Sequence, residues 1–210
     1  MIGALSLLQH KPEHTVEQFR HHWLNVHGPL AAELHGVRRY VQSHFAPDDP
    51  LTNDAARSLT VDGLAAISFD TEEDREICYA SHQEEVCDID SLLFIGATAR
   101  YVTDVHVPVP PPATPGAARA VLLVPAAAGL SPAHLAALGR PEGLNELIVH
   151  AVTAPGATPT QSRRQILLPL QAIVEVSATS RPALEAIVAR LAPSDAAGVA
   201  VFAAVEHRIV

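Results

Sequence analysis

Pro108–Gly116, PVPPPATPG, cuts this chain in two. Four prolines in the five positions from Pro108 favour polyproline II and bar a central strand. The same order of elements can be read on either side. Before the cut, the apolar run Gly3–His10 predicts a strand buried on both faces, and a long helix follows over Thr15–Leu34. Arg39–Phe45 alternates, with Tyr40, Gln42 and His44 on one face and Val41, Ser43 and Phe45 on the other. After a turn-rich loop at Ala46–Pro50 and a short helix within Leu51–Val61, Gly63–Phe69 predicts a third strand. Asp70-Thr71-Glu72-Glu73 opens a helix to about His82, or through Cys87 if unbroken, and Arg100–Val107 is the fourth strand. After the cut come a strand at Ala120–Pro125, a helix from Ser131-Pro132 through Leu138, strands at Glu146–Thr153 and Leu170–Ala178, a helix from Ser180 through Leu191, and a strand at Val199–Ile209.

Both halves therefore read β-α-β-β-α-β, the ferredoxin-like order, and the fold class is α+β. The domains expected are 1–107, a Pro-rich linker at 108–116, and a second, degenerate unit at 117–210. Two helices cover one face of each sheet, and the other face must be buried too. The expected solution packs the two units sheet to sheet within one chain, an intramolecular pseudo-dimer that does not require, but leaves open, a homodimer.

Composition narrows the function. Residues 1–106 hold 7 Lys+Arg against 17 Asp+Glu, a balance of −10, whereas residues 107–210 hold 7 against 6, or +1. The acidic first half and scattered arginines argue against nucleic acid and anionic membranes as partners. No run of about 18 apolar residues exists, so no membrane span is expected, and the start reads as a strand rather than a signal peptide. Cys78 and Cys87, nine apart, form neither a metal knuckle nor a disulfide framework, and a reduced, cytoplasmic protein is the expectation.

The helix TVEQFRHHWLNVHGPLAAEL, Thr15–Leu34, carries the chemistry. Thr15 and Gln18 form a capping box, and Phe19, Trp23 and His27 share a stripe at i, i+4, i+8. Gly28-Pro29 reads as a stop or sharp kink, which puts His27 near a helix C-terminus. Lys11, Thr15, Glu17, Phe19, Trp23, His27, Gly28, Pro29 and Leu30, followed by Arg39-Tyr40-Val41-Gln42, resemble the signature of the EthD family. The resemblance covers the first half only. It implies the dimeric α/β-barrel form of the ferredoxin-like fold, and in some members of the family the histidine matching His27 is catalytic. EthD-like and related barrels include dehydratases and decarboxylases of aromatic polyketides and isomerases of lactones.

Seven of the twelve histidines precede residue 45. Histidine titrates near neutrality and suits acid or base work. His27 is the first catalytic candidate, against a plain helix-end histidine; Tyr40 and His44 share a strand face and are its candidate partners, against ordinary packing. Trp23, Phe19 and His10 are the candidate substrate-binding residues, although aromatics at helical spacing are usually core and His10 could simply be exposed. Asp88 and Asp90 read as solvated, with one able to reach a histidine across the pocket. No H-E-x-x-H, P-loop, GxGxxG or G-x-S-x-G occurs, so no metal and no nucleotide is expected. The reading is a cofactor-independent acid/base enzyme acting on a small cyclic, aromatic or lactone compound. Its alternatives are a non-catalytic accessory or ligand-binding protein and, further off, a haem- or oxygen-handling barrel. The second half, poor in polar side chains, reads as structural.

Overall fold

β1 (Ile2–His10) lies between two antiparallel neighbours, which explains why its sequence is apolar on both faces. The computed structural model describes residues 1–112, 118–137, 139–156, 164–194 (the side chain of Arg164 excepted) and 196–210. Along the first half follow α1 (Val16–His22), a π-helical turn (Trp23–His27), α2 (Gly28–Ala32), β2 (Val37–Phe45), α3 (Asp54–Arg57), β3 (Gly63–Phe69), α4 (Glu72–Tyr79), α5 (His82–Ser91) and β4 (Ile95–Val109). The second half has β5 (Ala118–Pro125), α6 (Pro132–Ala136), β6 (Leu144–Pro155), β7 (Arg164–Gln165), β8 (Leu170–Ala178), α7 (Arg181–Leu191) and β9 (Ala200–Arg208).

Eight strands close a ring in the order β1-β3-β2-β9-β5-β8-β6-β4 and back to β1. Each half supplies four consecutive members, β4-β1-β3-β2 and β9-β5-β8-β6, each in the ferredoxin-like arrangement. The halves join at β2–β9, from Val41↔Arg208 to Phe45↔Ala204, and at β4–β6. They thus meet by hydrogen-bonded edges as well as by facing sheets, which leaves the ring without a free edge. The short β7 pairs in parallel with β4 at Ala97 and Thr98. Helices cover the outside: the second half packs α7, through Leu184, Ile187 and Leu191, on Leu122, Val174 and Val176.

Several elements differ from the sequence expectation. Gly28-Pro29 does not stop the helix. The Gly28 N–H reaches Trp23 O five residues back, and the chain continues through Ala32 with Pro29 in the first turn of α2, where a missing N–H costs little. His27 is therefore not at a helix end. The helix after Asp70 is two helices, because Ser81 re-caps the chain by accepting the Glu84 N–H. β4 begins at Ile95, five residues earlier than Arg100, and runs through Pro108 to Val109, taking in the start of the expected linker. A register shift against β6 between His106 and Val109 accommodates the proline. Positions 113–117 of the linker and domain junction, and the expected helix end at Leu138, lie outside the described residues.

The barrel interior has two characters. Towards one end Leu5, Leu7, Phe45, Leu64, Val121, Leu123, Ile173 and Phe202 pack together, with Phe45 and Phe202 stacked at 4.0 Å. Towards the other, the inward faces of the strands bring charges into contact. Glu175 accepts two hydrogen bonds from Arg39 (3.0 Å each), one from Arg119, and lies 2.8 Å from His150 Nε2. Arg119 also pairs with Glu146 and Glu206, and Arg208 with Glu206. Arg39 and Arg119 together hold the Glu175 carboxyl well below the usual carboxylate range, although burial opposes them. The second half is thus not polar-poor where it matters: it supplies all but Arg39 of this network. Among the described residues no helix is long and apolar enough to cross a membrane.

Candidate functional site

The capping box forms, with Gln18 N–H donating to Thr15 Oγ1 (3.2 Å) and Thr15 N–H to Gln18 Oε1 (2.8 Å). It starts α1 at an angle that drops Phe19 and Trp23 onto the outer face of the first sheet, both fully buried. The Trp23 indole lies against His44 (4.6 Å between centroids, 11° between planes). Gly63 makes this possible: a Cβ there would come within 2.6 Å of Trp23 Cζ3.

Beneath the helix runs a chain of hydrogen bonds along the outer face of β2. Trp23 Nε1–H donates to the Tyr40 hydroxyl oxygen (3.1 Å), and so does the Gln42 amide (3.0 Å), which also donates to Trp23 O (2.8 Å). Gln42 Oε1 in turn lies 3.1 Å from His44 Nε2, which assigns the proton to that nitrogen. Both acceptor positions of the phenol oxygen are taken, so its own O–H remains to donate. Burial pushes the Tyr40 pKa up, and it stays a phenol. Burial, with His207 and Arg20 nearby, pushes His44 down to about 3, so it is neutral at ordinary pH.

The π turn is wider than an α turn and rotates His27 off the Trp23 line towards α5. His27 Nδ1 lies 2.9 Å from Asp90 Oδ2, and His22 Nε2 lies 3.0 Å from Asp90 Oδ1. Phe94 packs against both rings (4.7 Å from His22, 5.2 Å from His27). Burial works against the Asp90 charge, but the two imidazoles outweigh it and keep the carboxyl below its ordinary range. With Nδ1 engaged, Nε2 is the free nitrogen of His27.

His27 and Tyr40 line one cavity of about 70 Å³ between β1–β3 and the helices, with Leu8, Ile67, Arg100 and the two cysteines also on its wall. Burial pushes Cys78 up to about 11 and Cys87 up to about 12, so both are thiols and not nucleophiles. The other candidates lie off this cavity. His44 is behind Trp23; Trp23 and Phe19 are core; His10 is tied to Asp62 (2.7 Å) and sits beside Phe19. Gln42 and Arg100 are given no role by the sequence, whereas one of Asp88 and Asp90 is expected to reach a histidine across the pocket, and Asp90 does so with both His27 and His22. Gln42 could have been noticed as a polar residue on the Tyr40 strand face; which carboxylate meets which histidine, 63 residues apart in the case of Asp90 and His27, has no local signal. Among the described residues no three His, Cys, Asp or Glu are grouped to hold a metal ion.

Residues 11–94, which hold His27, Tyr40 and Asp90, match the model of the EthD domain. No curated protein matches the chain. Among solved structures, an anthrone oxidase-like protein is similar over 99% of this chain and 93% of its own, at TM-score 0.61 and 11% identity. A monooxygenase-like protein of Fusobacterium nucleatum is similar over 97% and 90% respectively, at TM-score 0.61 and 6% identity. One of Lactobacillus acidophilus covers 100% and 94%, at TM-score 0.50 and 13% identity. At such identities the likeness is one of fold. Residues 11–94 are thus similar to the EthD domain, and the chain as a whole folds as a single-chain version of the dimeric α/β barrel.

Proposed function

We propose that the protein is an acid/base enzyme in which His27 moves the proton and Tyr40 steadies the oxygen, without a cofactor. One observation carries the reading: an imidazole oriented by a carboxylate and a phenol with both acceptor positions filled open on the same cavity. His27 Nε2 takes a proton from the carbon next to a carbonyl. The electron pair moves onto the carbonyl oxygen, where the Tyr40 O–H donates to it. The imidazolium, paired with Asp90, then returns the proton to another carbon, or to a departing hydroxyl that leaves as water. Gln42 and His44 act as positioning residues, since they aim the phenol from behind. A cavity of 70 Å³ is about half that of a cavity that takes benzene. It suits the carbonyl end of a small cyclic, aromatic or lactone substrate.

The test is exchange of α-protons in D₂O, followed by NMR, across a panel of lactones and β-hydroxy aromatic ketones. Exchange is expected with the wild type and lost by about 10²-fold or more in His27→Ala. Exchange that survives His27→Ala, or ligand binding with no exchange by any panel member, refutes the assignment; the latter supports a binding protein instead.

A further inference from the structure

The apolar end of the barrel opens into a second cavity that the proton chemistry does not use. It has a volume of about 470 Å³ and lies between β4, the end of β6 and residues 165–170. Its wall includes Ala99, Tyr101, Val152, Ile166, Leu168 and Leu170. It stands on the opposite face of β4 from the His27 cavity: Ala99 and Tyr101 point inward, whereas Arg100 between them points to the helices, where it approaches Asp88 (3.5 Å). We propose that this is a ligand site of its own, for a neutral apolar molecule of two or three fused rings bearing a hydroxyl or carbonyl group.

Four observations support it. The volume falls within the roughly 300–1,000 Å³ of small-molecule pockets and is about three times that of a cavity that takes benzene. Leu167 at the rim is 82% exposed, an apolar side chain left in water unless something covers it. The wall is mostly apolar, and the Arg100 that also borders it turns its guanidinium to Asp88 (3.5 Å) on the other face of the sheet, so a charged ligand would lose its hydration without a partner. The polar partners are few: the exposed Gln165 amide, and the Tyr101 hydroxyl, which is held by donating to Leu168 O (2.9 Å) and keeps its oxygen to accept. Burial pushes Tyr101 up, so it remains a neutral phenol.

The experiment uses the full chain and N-phenyl-1-naphthylamine, a neutral fluorescent probe. Saturable binding of one molecule per chain is expected, weakened about tenfold or more when Val152→Trp fills the cavity. It should be unchanged in His27→Ala, so this site and the proposed chemistry fail separately. Methyl NMR of the wild type gives a second readout: added probe should shift Val152, Leu168 and Leu170. Non-saturable binding, binding that tolerates a folded Val152→Trp, or shifts confined to Leu8 and Ile67 on the other face of the sheet would overturn the proposal.

Discussion

Replace Glu175 by glutamine. The carboxylate is fully buried and receives Arg39 through two bonds, Arg119 through one, and His150. The network balances Arg39, Arg119 and Arg208 against Glu146, Glu175 and Glu206, so the substitution leaves one positive charge uncompensated inside the barrel. It also turns one acceptor oxygen into an N–H donor facing other donors. Breaking a buried pair in this way costs about 3–5 kcal/mol. For a chain of this size each kcal/mol shifts Tm by about 2–4 °C, so Glu175→Gln should melt about 6–20 °C lower. Urea denaturation of the wild type, Glu175→Gln, Arg39→Met and the double variant completes the cycle. The double variant restores neutrality and should recover a large part of the loss. A loss below about 1 kcal/mol in Glu175→Gln, the scale of an exposed pair, refutes the idea that these charges are shut away from water.

Tyr40→Phe removes the donor to the carbonyl oxygen and strands the buried Trp23 N–H. α-Proton exchange should fall by about 10²-fold, and urea denaturation should show a loss of about 1–3 kcal/mol. Gly63→Ala pushes a methyl group against Trp23 and Ser43 O; it should cost about 1–3 kcal/mol, read as a shift in the urea midpoint. Stability should fall on acidification in two stages. His44 is held at about 3 against an ordinary 6.5, so the unfolded chain binds its proton first and Tm declines below about pH 6.5; His44→Gln should flatten that stage. Glu175, with a folded pKa well below 4.5, contributes fully above that value and loses its contribution as pH falls beneath it. A Tm that stays level from pH 6.5 to 4 would contradict the His44 assignment, and one that does not fall further below pH 4.5 would contradict that of Glu175.

The ring of strands was legible because inward and outward residues alternate and because prolines mark the seam between halves. What periodicity could not supply was which charges meet. Arg119, Glu146 and Glu175 sit among mostly apolar strand neighbours and Glu206 in the polar end of β9, and only the register across β5, β6, β8 and β9 brings them together. The helix-stop expectation at Gly28-Pro29 failed because a π turn absorbed the proline, a device with no periodic trace. That same turn brings His27 to Asp90: the sequence offers Asp88 or Asp90 as a partner for some histidine, but not which carboxylate or which histidine. Tyr40 and His44 were correctly placed on one strand face, but the Trp23 indole lying over His44 keeps His44 from the cavity.

A barrel assembled from two identical subunits must present every side chain twice, and any change in one sheet is copied into the other. Here the β2–β9 and β4–β6 seams join halves of a single polypeptide. Each substitution therefore falls once per barrel. One half was free to gather histidines around a cavity while the other filled with arginine–glutamate contacts. Cutting the chain within residues 113–117 and co-expressing the pieces should yield a heterodimer, not two homodimers, because Arg39 finds its carboxylates only across the seam.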